Sequence, residues 1–130
     1  MPFDWQEFLD FAERLLDSDS EAAKRSAISR AYYSVFNPAF ERAQRNNCCT
    51  FDPEDRKGVH VRCWSAYKRG PDPNCVKLGV DGDRLRDLRV RADYKSGAYS
   101  RLNEDAAQVI KDVKALRAKL ARLDDRYPLP

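Results

Sequence analysis

The sequence predicts an all-α domain, an antiparallel up-and-down bundle of four to five helices. Three observations predict it. Apolar residues recur at three- and four-residue steps through four long segments. Charged residues make up 35% of the chain against only 5 Gly and 7 Pro, which suits helices with solvated outer faces. The alternation of apolar and polar residues that marks a strand persists nowhere. The 130 residues fit one domain spanning 1–130, with a core of about 3–124 and a tail over 125–130.

Helix one is expected over 3–17, where Trp5, Phe8, Leu9, Ala12, Leu15 and Leu16 share a face, with Trp5 a core anchor. Ser18 and Glu21 have the spacing of a capping box and open helix two. That helix should run from about 20 to 46 on the stripe from Ile28 to Ala43, kinked near Ser34–Asn37 by Pro38. Residues 46–52 read as a loop. Asp52-Pro53-Glu54-Asp55 then has the grammar of a helix start: a cap, a proline at the first position and acids at the positive end of the dipole. Helix three would carry Val59, Cys63, Trp64 and Tyr67 and end near Arg69. Gly70, Pro71, Pro73 and Gly79 predict a loop over 70–80. Helix four should start near Asp81 or Asp83, carry Leu85, Leu88 and Ala92, and fade at Lys95-Ser96-Gly97. Helix five should start near Asn103 and bury Leu102, Ala106, Val109, Ile110, Val113, Leu116, Leu120 and Leu123.

Several function classes are excluded. No stretch approaches the ~18 apolar residues of a membrane span. The Met-Pro-Phe-Asp-Trp start carries neither a basic region nor an apolar run, so a cytoplasmic location is expected. Phosphate-loop, His-Glu-x-x-His and Gly-x-Ser-x-Gly motifs are absent, and His60 is the single histidine. Zinc on Cys48, Cys49, Cys75 and His60 would match none of the paired Cys-x2-Cys patterns; four reduced thiols, with Cys63 buried, is the preferred reading. No metal or cofactor is implied. Charge is uneven: residues 56–101 hold 12 Lys/Arg against 5 Asp/Glu, although the whole chain carries only +3. That basic third either faces phosphates or an acidic partner, or is a solvated face.

Two stretches go beyond generic helix grammar. One is Ser26-Ala-Ile-Ser-Arg-Ala-Tyr-Tyr-Ser-Val-Phe36, followed by Lys57-Gly-Val-His60. The other is Leu85-Arg-Asp-Leu-Arg-Val-Arg-Ala-Asp-Tyr94, followed by the amphipathic fifth helix. In their order and spacing they resemble the HEPN family over roughly residues 20–123. The resemblance implies a helical bundle that pairs into a homodimer. Many HEPN proteins are metal-independent RNases, often toxins of toxin–antitoxin or phage-defence systems. Others bind RNA or nucleotides without catalysis, or serve as partner modules beside a nucleotidyltransferase. The catalytic branch carries an Arg and, four to six residues later on the same helix, a His. Here Arg89 is followed at that distance by Asp93 or Tyr94, a departure from the catalytic pattern.

The candidate site residues are Tyr33, His60, Arg86, Arg89, Asp93 and Tyr94. On a helix Arg86, Arg89 and Asp93 share one face. Arg89 and Asp93 form either an exposed ion pair worth about 0.3–0.5 kcal/mol or part of a cationic groove wall that grips phosphate, with Tyr94 as a stacking face. His60 is either a partly buried ring bonded to a neighbour or, with Arg86 or Arg89, the acid–base group of a metal-free RNA cleavage. Tyr32 is in phase with the core stripe; Tyr33, turned about 100° from it, either packs in the core or the dimer seam or reaches a groove. The favoured reading is a HEPN-like homodimeric module that binds RNA, a nucleotide or a partner such as a nucleotidyltransferase or antitoxin. The alternatives are a metal-independent endoribonuclease and a non-catalytic scaffold subunit.

Overall fold

The computed structural model describes residues 2–45, 49 and 51–127. It has five helices: α1 Gln6–Leu15, α2 Glu21–Ala43, α3 Val59–Lys68, α4 Pro73–Tyr94 and α5 Leu102–Arg126. No strand occurs among the described residues, and none of their helices is long and apolar enough to cross a membrane.

The predicted stripes become the core. α2 buries Ala27, Ile28, Ala31, Tyr32, Val35, Phe36, Ala39 and Ala43 and packs against all four other helices. α5 buries the eight residues expected of it, Leu102 through Leu123. Tyr32, Trp64 and Tyr67 are fully buried, each contributing on the order of 2–3 kcal/mol of transfer free energy. The pairs α1/α2, α3/α4 and α4/α5 are antiparallel. Strict alternation is broken at one pair, because α3 runs in the sense of α2. His60 accordingly lies beside Tyr32 and Phe36, and Tyr67 beside Ala39.

Pro38 lies inside α2, and the helix continues through it. Proline has no amide proton to give the carbonyl four residues back. That carbonyl, on Ser34, instead accepts a hydrogen bond from Arg117 Nη1 of α5. Burial lowers the Arg117 pKa, and the hydrogen bond to this carbonyl puts the guanidinium in place of a backbone donor.

Several element boundaries differ from expectation. α1 is shorter than 3–17, and Trp5 is only partly buried, in an aromatic cluster with Phe3 and Phe8. Ser20, not Ser18, caps α2 by accepting from the Ala23 amide; Ser18 accepts from the Ser20 amide instead. Asp52-Pro53 does not start α3. Asp52 accepts from the Glu54 amide and Asp55 from the Lys57 amide, so each closes a turn locally, and helix begins only at Val59. The predicted 70–80 loop is mostly helix. Asp72 caps α4 through the amides of Asn74 and Cys75, with Pro73 at its first position. Gly79 and Gly82 are contact points: a Cβ on Gly79 would meet the Trp64 carbonyl at 2.6 Å, and one on Gly82 would enter the Trp64 indole. The tail expected from 125 starts later. α5 runs through Arg126, and the Tyr127 hydroxyl donates to Asp72 Oδ2 at 2.6 Å.

Candidate functional site

α4 runs antiparallel to α2 and brings Arg89 against the two tyrosines. The guanidinium carbon sits 5.5 Å from the Tyr32 ring centroid and 5.6 Å from that of Tyr33. Its side chain is only 9% exposed, so the exposed ion pair expected with Asp93 is corrected. The reason is phase: Arg89 stands four residues after Leu85 and three before Ala92, both buried, and so points inward with them. Nη1 reaches Asp93 Oδ2 at 3.4 Å, and that oxygen also accepts from Ser29 Oγ at 3.3 Å. Two aromatic faces and one long ion pair hold the buried charge. Arg89 Nε is buried without a hydrogen-bond partner.

Arg86 lies one turn earlier on α4. Its side chain is 29% exposed and pairs with Asp87 at 3.0 Å and Asp83 at 4.0 Å. Its Nε, too, is buried without a hydrogen bond.

His60 enters from the first turn of α3. Its half-buried ring stacks on Phe36 at 4.0 Å and meets the Tyr33 ring at 5.7 Å. Nδ1 lies 2.8 Å from Tyr32 Oη, which also accepts from Trp64 Nε1 at 3.0 Å. An indole nitrogen can only donate, so the Tyr32 proton is free to go to His60 Nδ1. On this assignment the imidazole proton sits on Nε2. Burial, then the charges of Arg89 and Arg86, lower the His60 pKa to about 4, so the ring is neutral at pH 7. Burial also raises the Tyr32 pKa, which keeps the relay protonated. The expected partly buried, hydrogen-bonded His60 is what the structure contains.

Tyr33, His60, Arg89 and Asp93 therefore meet, with Arg86 at their edge. Tyr94 stands outside the cluster, 74% exposed, because one residue beyond Asp93 turns it about 100° away. Sequence reasoning missed Ser29, Phe36 and Trp64 as parts of this assembly; Ser29 and Trp64 lie many residues from the groups they touch, and spacing carries no signal for that.

No family model, curated protein or solved structure matches the chain. The site is therefore read from its own chemistry. Besides Arg86 and Arg89, four cations of the basic third are matched: Lys68 with Asp83, Lys77 with Asp81, Arg84 with Asp112 and Arg91 with Asp105. Among the described residues no three His, Cys, Asp or Glu side chains form a metal-holding group. Of the four residues weighed for zinc, Cys48 lies outside the described residues, Cys75 is buried in the core, and His60 Nδ1 is engaged by Tyr32. What the cluster offers an anion is two guanidiniums, each already paired with carboxylate, and a neutral imidazole N–H.

Proposed function

We propose that the chain is a HEPN-like, non-catalytic module that binds RNA or nucleotide phosphate at Arg86, Arg89 and His60. The observation that carries this reading is the convergence of the Arg86 and Arg89 guanidiniums, whose Nε atoms make no hydrogen bond, on an imidazole whose proton lies on Nε2. Donors arranged this way complement phosphate oxygens. A general base needs a lone pair where His60 instead offers an N–H, which favours binding over RNA cleavage. The reading includes a cytoplasmic homodimer, of the kind that works in toxin–antitoxin or phage-defence systems or beside a nucleotidyltransferase.

The test is incubation of purified protein with mixed RNA in EDTA, alongside His60→Ala. The binder leaves RNA intact and retains it at low salt, releasing it steeply as salt rises. Cleavage that disappears in His60→Ala would instead establish the endoribonuclease. Neither cleavage nor retention leaves the scaffold subunit.

A further inference from the structure

A second feature lies beside this cluster. Phe40, Gln44, Phe51, Val59 and Arg62 line a cavity of about 300 Å³ between the end of α2 and the start of α3. That volume is at the lower end of pockets that take small ligands. The Phe40 and Phe51 rings form its aromatic corner, 6.4 Å apart and nearly perpendicular. Among the described residues no ion pair or hydrogen bond reaches the Arg62 side chain, and its Nε is buried without a hydrogen bond. Phe36 links the two places, stacking on His60 at 4.0 Å and on Phe40 at 5.8 Å.

An aromatic corner, an unmatched guanidinium and a side-chain amide together fit a planar heterocycle that carries an anion. We propose that this cavity is a nucleobase subsite: one unpaired base packs on Phe40 and Phe51, Gln44 meets its polar edge, and Arg62 takes the attached phosphate. The proposal rests on the RNA reading and narrows it. The ligand becomes a single strand whose base enters this cavity while a neighbouring phosphate lies at Arg86, Arg89 and His60. A duplex, with its bases stacked inside, cannot use the cavity.

The experiment compares two probes on wild type, Phe51→Leu and Arg62→Gln. Leucine keeps the apolar packing of Phe51 and removes the ring face. The first probe is a short single-stranded oligouridylate, set against an abasic backbone of the same length. The second is adenosine 5′-monophosphate, followed by saturation-transfer NMR. The subsite predicts that wild type prefers the oligouridylate to the abasic backbone. Phe51→Leu lowers affinity for the oligouridylate by about 5- to 10-fold and leaves the backbone unaffected. Both variants lose the mononucleotide signal. Equal binding of the two strands, or a mononucleotide signal unchanged in both variants, overturns the subsite. The two readings fail separately. A strand held equally well with and without bases, yet released by Arg86→Gln, removes the subsite and leaves the phosphate site. A mononucleotide bound through Phe51 and Arg62 by a protein indifferent to Arg86→Gln removes the phosphate site and keeps the subsite.

Discussion

The chain contains two Asp-Pro dipeptides, and they have opposite fates. Asp72-Pro73 caps and opens the 22-residue α4. Asp52-Pro53, with acids behind it and so the stronger start signal by local grammar, closes a turn, and helix begins only at Val59. The difference lies downstream. After Pro73 come Cys75 and Leu78, both fully buried, and then Gly79 and Gly82 against Trp64. After Pro53 come Glu54, Asp55, Arg56, Lys57 and Gly58, with nothing apolar to bury. A cap contributes about 1 kcal/mol. Nucleating a helix costs more than that, and a docked apolar face must make up the difference.

The sharpest way to break the comparison is to undock α4. Gly82→Ala puts a methyl group into the Trp64 indole and should cost about 2–3 kcal/mol, read as a lower urea midpoint. A loss under about 0.5 kcal/mol would show that α4 does not depend on that contact.

Removing the cap that works should come next. Asp72→Ala deletes the acceptor for two backbone amides and for Tyr127, at a cost of about 1–2 kcal/mol. The Tyr127 hydrogen bond, then the backbone amides and Arg126, lower the Asp72 pKa. A depressed carboxylate stabilises the fold above its unfolded pKa, so the gap between wild type and variant should hold at pH 7, begin to narrow near pH 4 and close below it, as pH falls through the lowered folded pKa.

α3 starts without a side-chain cap, and His60 anchors its first turn against Tyr32 and Phe36. The His60 pKa is lowered from 6.5 to about 4. The unfolded chain therefore binds the proton more readily between those values. This contribution is complete above about pH 6.5 and lost as pH falls toward 4. Discounted for the solvent that screens a half-exposed ring, it amounts to about 1 kcal/mol. His60→Gln should flatten the stability profile across that window; an unchanged slope would contradict the ring's placement. Smallest of all, Asp52→Ala should change stability by less than about 0.5 kcal/mol, since it caps no helix.

The same contrast explains what the sequence made legible. The stripes of α2 and α5 are continuous in phase, and their burial follows from spacing alone. Gly79 reads as a loop signal because a glycine that admits a neighbouring helix and a glycine that ends a helix look alike until the neighbour is known. In the candidate site, the shared face of Arg86, Arg89 and Asp93 was readable. Arg89's inward turn was readable too, from its register with Leu85 and Ala92, but an arginine on an apolar stripe needs the Tyr32 and Tyr33 faces to be tolerable there. The Trp64–Tyr32–His60 relay joins helices across a long connection and has no local signature.

The central claim, that these guanidiniums meet phosphate, is tested most directly by the salt dependence of single-stranded RNA binding in wild type, Arg86→Gln and Arg89→Gln. The account predicts affinity that falls steeply with salt in wild type. Each variant should bind about 3- to 10-fold more weakly, with a log–log slope shallower by about 0.7. Affinities and slopes identical across the three proteins would contradict it.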